Sequence, residues 1–186
     1  FMTKLRAQAG LGARALELTI LTAARSGEVR GARWSEINLV EKIWVIPAER
    51  MKADKEHRIP LSDAAVTLLK ELTPNEGEDL VFMGAKPGKQ ISDMTLGAVL
   101  KRMDCTTITT HGFRSTFRDW CSEKTTYSNE VVEMALAHAI KNATEAAYRR
   151  GDVLEKRRAL MNDWANYCDL GATRTTVTSI KTRLEA

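Results

Sequence analysis

Cysteine is scarce in this chain and badly spaced for cross-linking. Cys105, Cys121 and Cys168 are odd in number and far apart, which fits reduced thiols better than a disulfide frame. Neither CxxC nor HExxH occurs, and His57, His111 and His138 lack short metal-ligand spacing, so no zinc site is expected. No stretch approaches the roughly 20 apolar residues that a membrane helix needs. No signal-type leader and no internal repeat are visible. These absences lead us to expect a soluble cytoplasmic protein without metal or organic cofactor. Phe1-Met2 runs almost at once into a helical pattern, so the chain is expected to be a fragment of a longer protein.

With 186 residues, 44% of them hydrophobic, one sizeable core and one domain are the expectation. The net charge of +4 permits a nucleic-acid partner without requiring one. Its distribution says more. Residues 1 to 33 hold Lys4, Arg6, Arg14, Arg25, Arg30 and Arg33 against Glu17 and Glu28 alone. A second basic stretch runs from Lys141 to Arg158, while acid gathers at Glu71, Glu76, Glu78 and Asp79. Basic ends around an acidic middle suggest one surface turned toward phosphates; ordinary solvated helix faces are the alternative.

Apolar residues recur at helical spacing from Leu11 to Ala24 and predict a buried helix. Ser26 and Glu28 mark a fresh start, with an end near Trp34. Three short β-rich runs follow, Ile37 to Leu39, Ile43 to Ile46 and Arg58 to Leu61, and predict a small antiparallel sheet. Ser62 caps a helix reaching about Leu72, and Leu80 to Met83 is a short apolar element between loops. Further helices are expected from Ser92 or Asp93 through Met103, over HGFRSTFRDWCSEK with Thr110 as its cap, and from Ser128 to near Ala137. Asn142 with Glu145 has capping-box spacing, and Asp152 opens a last long helix with Leu154, Leu160, Met161 and Trp164 on one face. The predicted class is mainly α with a small antiparallel three-stranded sheet (α+β). Trp34, Trp44, Trp120 and Trp164 are assigned to packing, and Phe117 with Trp120 to holding down the HGFR helix. The tail from about residue 171 is expected to be disordered or an extended arm.

His111 and Arg114 stand three residues apart at the start of one helix, where free N–H groups already favour an anion. Arg25 follows the first apolar helix. Two planar guanidiniums together suit the two non-bridging oxygens of one phosphate, which lysine grips less well. Glu28 either orients that site or complements the dipole at its own helix start.

Four segments occur in a telling order: ARSGEVRGARW with Arg25, RMKADKEHRIPLS with Lys52, HGFR from His111 to Arg114, and LAHAIKNATEAAYRRGD with His138 and Tyr148. This order resembles the catalytic domain of the tyrosine recombinases, specifically phage- and genomic-island-type integrases, over roughly residues 11 to 170. The resemblance implies a catalytic domain over 1–170 and a tail over 171–186 that passes between neighbours or simply frays. It implies Tyr148, ten residues after His138, as the nucleophile, and Lys52 as the acid that protonates the departing 5′ oxygen. Lys55 in the same turn remains an alternative. It further implies His138 as a hydrogen bond to the scissile phosphate and His111 as base or phosphate ligand, while His57 is left to strand packing or the surface. Tyr127 and Tyr167 lack a neighbouring histidine box and are assigned to structure.

By the same resemblance the expected activity is site-specific cleavage and rejoining of double-stranded DNA through a 3′-phosphotyrosyl link, independent of metal and ATP. DNA-binding modules N-terminal to this domain, a homotetramer on DNA, and accessory DNA-bending or excision proteins come with it. A type IB topoisomerase and a catalytically silent DNA-binding domain are the rival readings.

Overall fold

The computed structural model describes residues 1–72, 74, 77–138 and 153–173. The capping pattern at Asn142 and Glu145, the start at Asp152, Tyr148 and the tail beyond Thr173 lie outside the described residues. Within them the chain is mainly helical with one three-stranded antiparallel sheet, as its class predicts.

Helix α2 (Leu11–Thr22) is the axle of the fold. It is buried nearly all round, and α1 (Met2–Arg6), α3 (Ser26–Arg30), α4 (Asp63–Glu71), α5 (Thr95–Arg102) and α8 (Leu154–Thr173) pack on it. Each fully buried leucine along it, such as Leu16 or Leu18, contributes roughly 1.5–3 kcal/mol. Thr19 and Thr22 hydroxyls donate to the Ala15 and Leu18 carbonyls at 2.7 and 2.6 Å, and Glu17 pairs with Arg6 and Arg14 at 2.6 and 3.2 Å. Gly12 admits α5 at close range: a Cβ there would stand 2.7 Å from the Thr95 methyl.

Strands β1 (Ile37–Asn38), β2 (Ile43–Ile46) and β3 (His57–Pro60) pair in chain order, with Trp44 facing Ile37 on one side and Ile59 on the other. The last strand begins one residue earlier than its pattern suggested, because His57 turns inward while Arg58 faces out. Pro60 is tolerated because β3 is an edge and owes no further N–H. The long helix α8 then locks the assembly. Arg157 donates to the Arg58 carbonyl at 2.7 Å, and the Trp164 indole donates to the Ile20 carbonyl at 2.7 Å.

Three helix boundaries also differ from expectation. Helix α3 stops at Arg30 and not near Trp34, since Arg33 goes extended to bridge Leu80 and Trp34–Glu36 forms a separate 3-10 turn. The α5 helix opens at Thr95, with Ser92 accepting from the Met94 N–H at 3.2 Å. Helix α6 (Gly112–Lys124) has His111 and not Thr110 at its N-cap position, with the Thr109 hydroxyl accepting from the Gly112 N–H at 3.0 Å. Helix α7 (Asn129–Ala135) follows Ser128 as expected. Phe117 and Trp120 do hold α6 down, packing on Trp164 at ring separations of 5.3 and 5.2 Å. Trp44 is fully buried in the sheet, whereas Trp34 is only half-buried.

Candidate active site

Helices α2 and α7 both end on an alanine in the left-handed conformation, Ala23 at φ 50° and Ala137 at φ 49°. Such endings leave the last carbonyls without helical partners. Arg114, from the first turn of α6, supplies the missing donors. Its guanidinium donates to the Ala23 carbonyl closing α2 and, at 2.7 Å, to the Leu136 carbonyl closing α7. Arg25 donates to the next carbonyl, Ala137, at 3.3 Å. Two cations therefore sit where two helix dipoles present their negative ends. That answers how two guanidiniums can be gathered without mutual repulsion expelling one.

Arg25 is also the residue that starts α3. The Glu28 carboxylate accepts from the Arg25 backbone N–H at 2.8 Å and from its guanidinium at 2.7 Å. Glu28 thus reaches back to cap the start of its own helix and orients the Arg25 side chain at once. Burial holds Arg114 down to about 10, aided by the Arg25 charge and opposed by Glu28. It stays protonated at neutral pH.

The left-handed turn at Ala137 also reverses the chain so that the His138 N–H returns to the Glu133 carbonyl at 3.0 Å. His138 Nδ1 lies 2.6 Å from a Glu133 oxygen, and Nε2 lies 3.5 Å from the Arg114 guanidinium. The other Glu133 oxygen accepts from Arg118 at 2.7 Å. Burial pushes the Glu133 carboxyl up, but the Arg118 and His138 contacts outweigh it and hold the group below its usual range.

A cavity of about 390 Å³ opens in front of the arginines, lined among others by Arg25, Arg50, Lys52, His111 and Arg114. Arg114 is buried at its floor, and Lys52 and His111 are exposed at its edge. Lys55, also exposed, does not line it. Five of the six expected site residues, Arg25, Lys52, His111, Arg114 and His138, therefore gather at one place. The sixth, Tyr148, lies outside the described residues.

Sequence reasoning missed two participants. Arg50 lines the cavity although only its neighbour two residues on drew attention. Glu133 carries the His138 ring, and its spacing of five residues before a histidine is a helix-plus-turn signal that was available. His57 resolves to the packing alternative. It is buried beneath the site with its ring bonded to the Ala135 backbone, and burial, then Arg157, with Arg25 and Arg114 adding, lowers it to about 4. The two other tyrosines have structural work: Tyr127 donates to Asp163 at 2.6 Å, and Tyr167 stacks on Trp164 at 5.7 Å.

Comparison with known proteins agrees with this geometry. The model of the phage integrase family matches residues 4–154. The chain belongs to the phage integrase family. It is 38% identical over 150 residues to prophage integrase IntA of Escherichia coli (strain K12), covering 79% of this chain and 36% of that protein. It is 35% identical over 174 residues to the integrase of Enterobacteria phage P4, covering 84% and 40%. The chain thus spans about two-fifths of the length of these relatives. Among solved structures, the integrase from mycobacterium phage Brujita shares the fold with a TM-score of 0.65 at 19% identity, over 86% of this chain and 54% of that one. XerA recombinase matches at a TM-score of 0.50 and 17% identity, over 89% and 64%. The tyrosine-recombinase resemblance read from four motifs is borne out, as is the fold class.

Proposed function

We propose that this chain is the catalytic portion of a site-specific DNA recombinase that integrates or excises a prophage or genomic island. The observation that carries the reading is the meeting of Arg25, Arg114 and His138 at the closed ends of α2 and α7, beside a cavity edged by Lys52 and His111. A phosphodiester seated there is met by two guanidinium forks on its non-bridging oxygens and by the His138 ring.

In the proposed step the Tyr148 phenolic oxygen attacks phosphorus. A free phenol titrates near pH about 10, so it needs a base and a cationic setting, with His111 as the base or as a further phosphate ligand. The new bond is phosphorus to phenolic oxygen, and the bond to the 5′ oxygen breaks. Its electron pair leaves with that oxygen, which takes a proton from Lys52. Arginines and histidine stabilise the added charge of the phosphorane as fixed donors. A 5′-hydroxyl from another strand then attacks the phosphotyrosine and reverses the sequence. The phosphodiester energy is conserved in the protein–DNA link, so this scheme calls for neither ATP nor metal.

Its partner is double-stranded DNA, held first by its phosphates, which position without specifying sequence. A homotetramer pairing two duplexes, exchange of the 171–186 segment, accessory DNA-bending or excision proteins, a domain limit near residue 170 and a place at the bacterial nucleoid belong to the same proposal. Strand transfer tests it. The intact protein, given two duplexes carrying its attachment sequences, should yield joined recombinants. Relaxation of supercoiled DNA alone would favour a type IB topoisomerase, and binding with no covalent product a silent DNA-binding domain.

A further inference from the structure

Arg50 stands in the short 3-10 turn Ala48–Arg50, two residues before Lys52, and its guanidinium faces the cavity. Both of its terminal nitrogens are taken up by protein acceptors. One nitrogen donates to both oxygens of Glu36, and the other donates to the Glu28 backbone carbonyl at 2.7 Å. The Glu36 side chain is itself largely enclosed and fixed, accepting from the Trp44 indole at 3.0 Å and from the Arg33 N–H at 3.2 Å. Gly31 leaves room for this guanidinium at the end of α3, where a Cβ would stand 3.0 Å from it. Arg50 therefore joins the sheet to the helix that presents Arg25 and Glu28.

After Arg50 the chain has one more anchor, buried Met51, and then runs through an exposed turn over Lys52 to Glu56. The placement of Lys52 relative to the two catalytic arginines is thus set from its N-terminal side by Arg50. We infer that Arg50 is a positioning residue, a strut between Glu36 and the Glu28 carbonyl that holds Lys52 where it protonates the leaving 5′ oxygen. The inference rests on the general-acid role given to Lys52 above. Lysine cannot replace Arg50, because a single ammonium lacks the planar fork that spans both partners.

The test compares cleavage of an ordinary DNA strand with one carrying sulfur in place of the bridging 5′ oxygen at the scissile phosphate. A thiol is acidic enough, near pKa 8.5, to depart as thiolate without a proton donor. Lys52→Ala should slow ordinary cleavage by about a hundredfold or more and recover on the sulfur substrate. Arg50→Lys should slow it roughly tenfold or more, as misplacement of a catalytic group does, and recover on sulfur in the same way. Arg114→Lys should remain slow on both. Glu36→Gln loosens the same guanidinium from its other end and gives a second reading should Arg50→Lys not fold. Recovery of Lys52→Ala but not of Arg50→Lys overturns the strut, and so does undiminished ordinary cleavage by Arg50→Lys. Failure of Lys52→Ala itself to recover overturns the acid role of Lys52 instead.

Discussion

The Arg114 guanidinium donates to the Leu136 carbonyl at 2.7 Å while standing 3.5 Å from His138 Nε2. One side chain thus ties the end of α7 to the histidine that follows it. Arg114 is structural and chemical together, and its loss has two separable consequences. Arg114→Ala orphans the Ala23 and Leu136 carbonyls at the helix ends, and each buried unsatisfied group costs about 1–3 kcal/mol. Chemical denaturation should show the two losses together, about 2–6 kcal/mol. Cleavage should fall by at least roughly a hundredfold as a phosphate donor disappears, and stabilising conditions that restore folding should leave that defect in place.

Glu133 holds His138 through Nδ1 at 2.6 Å. Glu133→Gln keeps an acceptor of the same shape but removes the charge, and should lower the cleavage rate by about tenfold with little effect on DNA affinity. Glu133→Ala frees the ring altogether and should cost more. Equal losses in the two variants would mean that the charge, and not ring placement, matters. Single-turnover rates at saturating protein separate the cases.

His57 makes stability depend on pH. Its folded value is depressed to about 4 from an ordinary 6.5, so the unfolded chain binds the extra proton between those limits. The neutral ring is favoured in the fold above that window, and stability falls as pH drops from about 6.5 toward 4. Full protonation of the unfolded state alone corresponds to on the order of 3 kcal/mol. Urea melts at pH 7 and pH 4.5 should differ for the parent, and His57→Gln should narrow the gap measurably. An unchanged gap would place the acid sensitivity elsewhere.

Much of this site was legible in the sequence because its chemistry is carried by local motifs. Arg25 beside SGEV, His111 with Arg114, and His138 after LA each sit at a helix terminus that capping residues and apolar spacing announce. What escaped depends on contacts distant along the chain. The end of α3 is set by Arg33 bridging Leu80, and the depth of His57 by α7 and α8 closing over β3. Arg50 looked like any charged residue in a turn, since its partners Glu36 and Glu28 belong to other elements. Periodicity sees which face is apolar; it does not see which buried carboxylate a turn arginine will reach.

Salt should weaken DNA binding steeply, because phosphate contacts release counterions. Replacing exposed Lys52 with alanine removes one cation from the cavity edge and should lower the slope of log affinity against log salt by about 1. A titration series from low to physiological salt measures it.

In the proposed reaction the phenol of residue 148 becomes bonded to DNA in front of Arg25 and Arg114. The direct measurement uses a nicked suicide substrate, on which the cut strand diffuses away and the covalent complex accumulates, followed by proteolysis and peptide mapping. The nucleotide should map to the peptide containing Tyr148, with no adduct from Tyr148→Phe despite normal DNA binding and normal adduct from Tyr127→Phe and Tyr167→Phe. An adduct that persists in Tyr148→Phe, or that maps to Tyr127 or Tyr167, would contradict that reaction.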